Sequence, residues 1–124
     1  NITLSKLLNR KITMLHSYKK YVKYRIKTPL PSYRQFPCVT PNFDNASRRM
    51  HKGFTAFIGS TPQLYGKWLS SVFEKFKPYS QEENFIFINA WNEWAEGNHL
   101  EPDQKWGRKY LEETKKNIDQ YKNR

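Results

Sequence analysis

One run, Phe85-Ile86-Phe87-Ile88 continuing to Trp91, decides much of what this chain can become. A short, wholly apolar stretch between polar segments reads as a strand covered on both faces, the kind found in parallel sheets. Helical patterns stand on either side of it. Thr61-Pro62 is an N-cap followed by proline at the first helical position, and Leu64, Tyr65, Trp68, Leu69, Val72, Phe73 and Phe76 then recur at helical spacing. That predicts a helix over 62–77. A last helix is expected from an N-cap at Asp103 to about Tyr121, with Trp106, Tyr110, Leu111, Thr114 and Ile118 on its apolar stripe. Upstream, Ile2, Leu4, Leu7, Leu8, Ile12, Leu15, Tyr18 and Val22 predict a long amphipathic helix over 2–26, closed by Pro29 and Pro31. Phe36–Thr40 is a second, shorter strand between prolines, and Phe54–Ser60 gives no clear alternation.

Helix, short strand, helix, strong strand, helix is the order of an α/β fold with parallel strands. Two strands do not make a stable parallel sheet, and a complete eight-stranded barrel needs about 250 residues. The 124 residues are therefore expected to be the C-terminal part of one larger α/β domain. The alternative is a small free-standing α+β domain. No apolar run approaches the roughly 20 residues of a membrane-spanning helix. An aromatic content of 16% argues against disorder. No signal-peptide pattern is seen. The single cysteine, Cys38, excludes an intrachain disulfide framework, fits a reducing compartment and reads as a small core residue. A cytoplasmic location follows as the expectation.

The net charge of +11 is unevenly placed. Residues 1–52 hold 12 of the 22 Lys and Arg and one acid, Asp44, whereas residues 53–124 hold ten of each sign. This basic segment suits peripheral contact with an anionic membrane, or is simply a solvated face. Lys19, Lys20, Lys23, Arg25 and Lys27 interleave with Tyr18, Tyr21 and Tyr24, so a basic nucleic-acid or anionic-surface binding module without catalysis is the alternative function. Nucleic acid is the disfavoured partner.

The chemistry concentrates in Asn89 to Pro102, just past the strong strand. The C-terminal end of a parallel strand is where α/β folds build their sites. Glu93 and Glu96 lie three residues apart, so a helical turn would bring them to one side at about 5–6 Å between Cβ atoms. Paired carboxylates at about 5–5.5 Å serve retaining glycosidases, one keeping its proton as the acid. Trp91 and Trp94 offer flat faces for sugar rings, and Asn89 and Asn92 hydrogen-bonding groups for hydroxyls. Asp44, Asn45 and Arg48 are candidates for contacting a sugar or phosphate, or else form an Asx-turn with a surface arginine. His99 reads as a loop histidine. No metal or cofactor is called for. The His and acid spacing fits no zinc pattern, and there is no glycine-rich phosphate loop.

Phe87-Ile88-Asn89-Ala90-Trp91-Asn92-Glu93-Trp94-Ala95-Glu96-Gly97, with Leu100-Glu101-Pro102-Asp103 and Gly107, Tyr110 and Leu111, resembles the C-terminal signature of the WbsX family. Pro41-Asn42-Phe43-Asp44-Asn45 with Arg48 resembles that family's aspartate-containing segment, and Thr61-Pro62 with Tyr65, Trp68 and Leu69 the helix after it. The family's members belong to lipopolysaccharide O-antigen and related surface polysaccharide biosynthesis. It is similar to glycoside hydrolase family 99, a (β/α)8 barrel. The resemblance implies the C-terminal portion of a TIM-type barrel, with parallel strands and long helices, over 1–124. It implies a glycan substrate and a carbohydrate-active enzyme, a glycosyltransferase or a glycoside hydrolase. Glu93 is implied as base toward the sugar 2-hydroxyl and Glu96 as acid to the leaving oxygen. Asp44, Asn45, Arg48, Trp91, Asn92 and Trp94 stay, from the reading of the residues themselves, the candidates on the substrate side. Ala95 stands where the hydrolases carry His, and Asn42 where the WbsX pattern usually has a small or aromatic residue.

Overall fold

The computed structural model describes residues 13–49 and 53–122. Its elements are β1 (Met14–Ser17), α1 (Tyr18–Lys27), β2 (Cys38–Val39), α2 (Ala46–Arg49), β3 (Thr55–Ile58), α3 (Pro62–Lys75), β4 (Phe87–Ile88), β5 (Asn92–Glu93), a 3-10 turn (Trp94–Glu96), β6 (Asn98–His99) and α4 (Lys109–Lys122). β1 pairs with β3 and β2 with β4, both in parallel, while β5 and β6 form an antiparallel hairpin. Cys38 sits opposite Phe87 and Val39 opposite Ile88. The two predicted strands therefore run parallel, with α3 lying between them in the chain. The fold is mixed α/β built from short parallel pairs.

The long amphipathic helix is corrected. Residues 1–12 lie outside the described residues, and Met14–Ser17 is a strand, not helix. Two causes are visible. Pairing with β3 takes the backbone of 14–17, and the Ser17 hydroxyl accepts from the Lys20 amide as an N-cap, so the helix starts there. Tyr18 and Val22 are its buried residues. At its other end the Lys75 ammonium donates to the carbonyls of Arg25, Ile26 and Thr28, closing the C-terminus of α1 with a positive charge.

The core joins Tyr18 and Val22 of α1, Val39 of β2, Tyr65, Trp68, Leu69 and Val72 of α3, Leu100 and Tyr110. Thr61 caps α3 by accepting from the Leu64 amide, with Pro62 at its start, as expected. Two further expectations need correction. The strong strand is paired only at Phe87–Ile88 and is one-sided: Ile86 and Ile88 pack on the core, while Phe85 and Phe87 are 51% and 54% exposed beside Phe36. Cys38 is likewise exposed, because it takes the outward position next to the buried Val39. The last helix begins at Lys109, not after Asp103. The Asp103 carboxylate instead accepts from the Trp106 amide, and Asp103 bridges Gly107, in a separate turn.

Burial pushes the Tyr65 hydroxyl up to about 12, and Thr114, 2.9 Å away, only partly offsets it. A folded-state value above the unfolded value of 10.0 gives stability that is complete below pH 10 and lost as pH rises toward 12. The shift corresponds to about 3 kcal/mol. Tyr65→Phe should therefore flatten the loss of denaturant stability between pH 9.5 and pH 11.5, measured on the full-length protein. An equally steep loss in the variant would assign alkaline unfolding to other groups.

Candidate active site

The segment after β2 and the hairpin after β4 are fastened together. The Asp44 amide donates to the Glu96 carbonyl at 2.6 Å, and the Ser47 hydroxyl to the Ala95 carbonyl at 2.6 Å. Asp44 Oδ1 accepts from the Ala46 amide at 2.9 Å, an Asx-turn that starts α2. Asn45 Oδ1 is committed to the Thr55 amide, also at 2.9 Å. The short helix α2 then carries Arg48 out over the hairpin.

Arg48 joins the two glutamates. Its Nη2 lies 2.6 Å from Glu93 Oε1 and its Nη1 3.6 Å from Glu96 Oε1. Each arm of one guanidinium thus faces one carboxylate. Glu93 ends β5, and Glu96 ends the 3-10 turn that follows, so the helical turn envisaged for the pair is 3-10 in form. Gly97 closes that turn in the left-handed region, φ +54°, where a Cβ would stand 3.3 Å from Asp44 Cβ. The three side chains remain partly open, at 50%, 37% and 26% exposure for Arg48, Glu93 and Glu96.

Trp91 and Trp94 are half-exposed on the same hairpin. The Trp94 ring stacks on His99, with centroids 3.7 Å apart and planes 15° from parallel, and its indole N–H donates to Glu101 Oε2 at 2.6 Å. One face of Trp94 is therefore covered by protein. Asn92 pairs with His99 in the hairpin and its side chain is exposed. Asn89 is exposed too, and the Asn89–Ala90 peptide is cis.

Several organising residues escaped sequence reasoning. Asn98 is fully buried, and its Oδ1 accepts from the Thr40 hydroxyl at 2.9 Å and the Ala90 amide at 3.0 Å, tying the ends of β2 and β4 to the hairpin. The Thr40 backbone carbonyl accepts from Tyr18 at 2.6 Å. His99 is more than a loop histidine, since its Nε2 meets Asp103 Oδ2 at 3.1 Å. The one available signal was that all these residues fall inside the motif or just past a strand end. Among the described residues no group of three or more His, Cys, Asp or Glu is arranged to hold a metal ion.

The glycosyltransferase WbsX family profile matches residues 2–114, which take in Asp44, Arg48, Glu93 and Glu96. The chain belongs to the WbsX family. Two relatives, each titled uncharacterized protein WxcX, come from Xanthomonas campestris pv. campestris strains B100 and ATCC 33913. Each is 40% identical over 88 residues, covering 70% of this chain. The WbsX chain described here spans 12% of the length of these curated relatives. No solved structure matches it.

Proposed function

We propose that this chain carries the acid/base pair of a carbohydrate-active enzyme that makes or breaks glycosidic bonds in surface polysaccharide such as O-antigen, as the C-terminal portion of a (β/α)8 barrel. The observation that supports it is the Arg48 clamp on both Glu93 and Glu96, beside Asp44 and two half-open tryptophans. Glu96 in its protonated form gives its proton to the leaving glycosidic oxygen as the bond to C1 breaks. Glu93 in its ionised form takes the proton of the sugar 2-hydroxyl, whose oxygen then supports the oxocarbenium-like C1. Water or an acceptor hydroxyl completes hydrolysis or transfer through the same two groups. The closer guanidinium contact falls on Glu93, the group that works ionised, and the looser one on Glu96, which works protonated.

Arg48→Lys keeps the charge and loses the two-armed geometry. It should lower kcat/KM on natural glycan by about 10–100-fold, since small displacements of catalytic groups cost that much. An effect under about twofold would remove Arg48 from the site. For the function itself, the full-length gene should be deleted in its host and restored as wild type or as Glu93→Gln/Glu96→Gln. The wild type should restore the surface polysaccharide ladder on gels, and the double variant should not. A normal ladder with the double variant would contradict the reading.

On α1, Lys19, Lys20, Lys23 and Lys27 are exposed, and α1 contains no acid. This fits a cytoplasmic protein in peripheral contact with anionic membrane. Among the described residues no helix is long and apolar enough to cross one. The nucleic-acid reading has less support. Of the tyrosines between the lysines, Tyr18 is buried and Tyr21 packs on Phe57 and Trp68, leaving Tyr24 exposed.

A further inference from the structure

The two glutamates are moored to different parts of the fold. Glu96 is tied to the segment after β2: the Asp44 amide donates to its carbonyl at 2.6 Å, and the Ser47 hydroxyl donates to the preceding carbonyl, that of Ala95. Glu93 lies on the other side of the turn, at the end of β5, and the residue directly opposite it in the hairpin is Asn98. Opposed residues of an antiparallel pair have Cα atoms about 4.5–5.5 Å apart, so a shift of one is passed to the other.

Asn98 is fully buried, so it does not itself meet a substrate. Its Oδ1 accepts from the Ala90 amide at 3.0 Å and from the Thr40 hydroxyl at 2.9 Å. Thr40 directly follows β2 and Ala90 lies just past β4, and these two strands are paired, Cys38 with Phe87 and Val39 with Ile88. One side-chain oxygen thus meets donors from the ends of both strands. Thr40 is fixed in turn, because its carbonyl accepts from Tyr18 of the core at 2.6 Å. The line from the core to Glu93 runs through Tyr18, Thr40 and Asn98 and then across the hairpin, apart from the Asp44 and Ser47 contacts that hold Glu96. The residue type suits the task. A carboxamide oxygen serves two donors without a charge. An aspartate there would set a second negative charge opposite Glu93 and disfavour its ionised form. An apolar residue would leave the Ala90 N–H and the Thr40 hydroxyl without this acceptor.

We propose that Asn98 is a positioning residue for Glu93, fixing where the base stands relative to the ends of β2 and β4 and leaving the placement of Glu96 to Asp44 and Ser47. The proposal rests on the acid/base reading above and deepens it by giving the two groups separate supports. Loss of Asn98 then copies, in weaker form, loss of the base.

The test uses the full-length protein and two kinds of substrate: the surface polysaccharide purified from its host, and 2,4-dinitrophenyl glycosides of the sugars in that polysaccharide. Asn98→Ala should lower kcat/KM by about 10–100-fold on both alike, mostly in kcat, the scale of a displaced catalytic group. In a Glu93→Gln background the same substitution should lower the rate by less than about threefold more, because the group it positions is already gone. Should Asn98→Ala fail to fold, Thr40→Val removes one donor to Asn98 Oδ1 in nearly unchanged volume and should show the same equal loss on both substrates, at about 3–10-fold. An effect of either variant under about twofold, beside a Glu93→Gln that is strongly impaired, overturns the positioning role and spares the catalytic reading. A loss on the polysaccharide alone assigns Asn98 to Glu96. A full-sized loss in the Glu93→Gln background makes Asn98 a support of the whole site. Either of these overturns the proposal. A wild-type rate in Glu93→Gln itself removes the catalytic reading, and the proposal with it.

Discussion

Full-length protein carrying Glu96→Gln is expected to lose about 10²–10⁴-fold in kcat/KM on natural glycans, the usual contribution of a positioned general acid. On substrates with an activated aryl leaving group the same variant should lose far less, because such groups depart without a proton. Glu93→Gln should slow both kinds of substrate alike, since the base is needed whichever group leaves. The difference between the two variants is the informative quantity, as it separates an acid from a base within one pair. Equal losses on both substrates for Glu96→Gln would exchange or abolish the assigned roles. The structure gives the experiment its footing: the two carboxylates share Arg48, at 2.6 and 3.6 Å.

The second large effect belongs to the core. Trp68 is 3% exposed, its ring meets those of Tyr21 and Tyr18 at 5.5 and 6.5 Å, and the Arg25 guanidinium lies 5.7 Å from its centre. Trp68→Ala should cost about 3–5 kcal/mol, from lost transfer energy plus the cavity left behind. Denaturant unfolding of the full-length protein, followed by a probe within this region, reads the loss. Less than about 1 kcal/mol would mean that α1 and α3 hold together by other contacts. Because α1 and β2 are both packed through this cluster, the variant should also loosen the Thr40–Asn98 link that holds the hairpin.

Legibility in the sequence followed the locality of the cause. Helix α3 was readable from Thr61-Pro62 and its apolar spacing because capping and amphipathicity act within a few residues. That Phe36–Thr40 and Phe85–Trp91 run parallel was readable from the order of elements; that they are direct neighbours, paired at Cys38–Val39 with Phe87–Ile88, was not. Helix 2–26 was misread over Met14–Ser17, where a partner about 40 residues away decides for strand, and the N-cap Ser17 was passed over. The burial of Phe85–Ile88 was misread because an all-apolar run hides which of its two faces is covered. At the site, the residue types and their neighbourhood were legible in the motif. That Arg48 reaches both glutamates was not, since it depends on how α2 docks on the 3-10 turn through Asp44 and Ser47. Nor was the role of Asn98, whose side chain meets Thr40 and Ala90 only in three dimensions.

The central claim is that Glu93 and Glu96 carry the glycosyl chemistry. Single-turnover rates of the full-length wild type and the Glu93→Gln/Glu96→Gln variant, on one glycan under saturating enzyme, test it most directly. The account predicts a rate at least about 10³-fold lower in the double variant, as acid and base are both removed. A rate within about twofold of wild type, in a variant that still binds the glycan, would contradict it and leave the two glutamates as partners of Arg48 that only hold the hairpin in place.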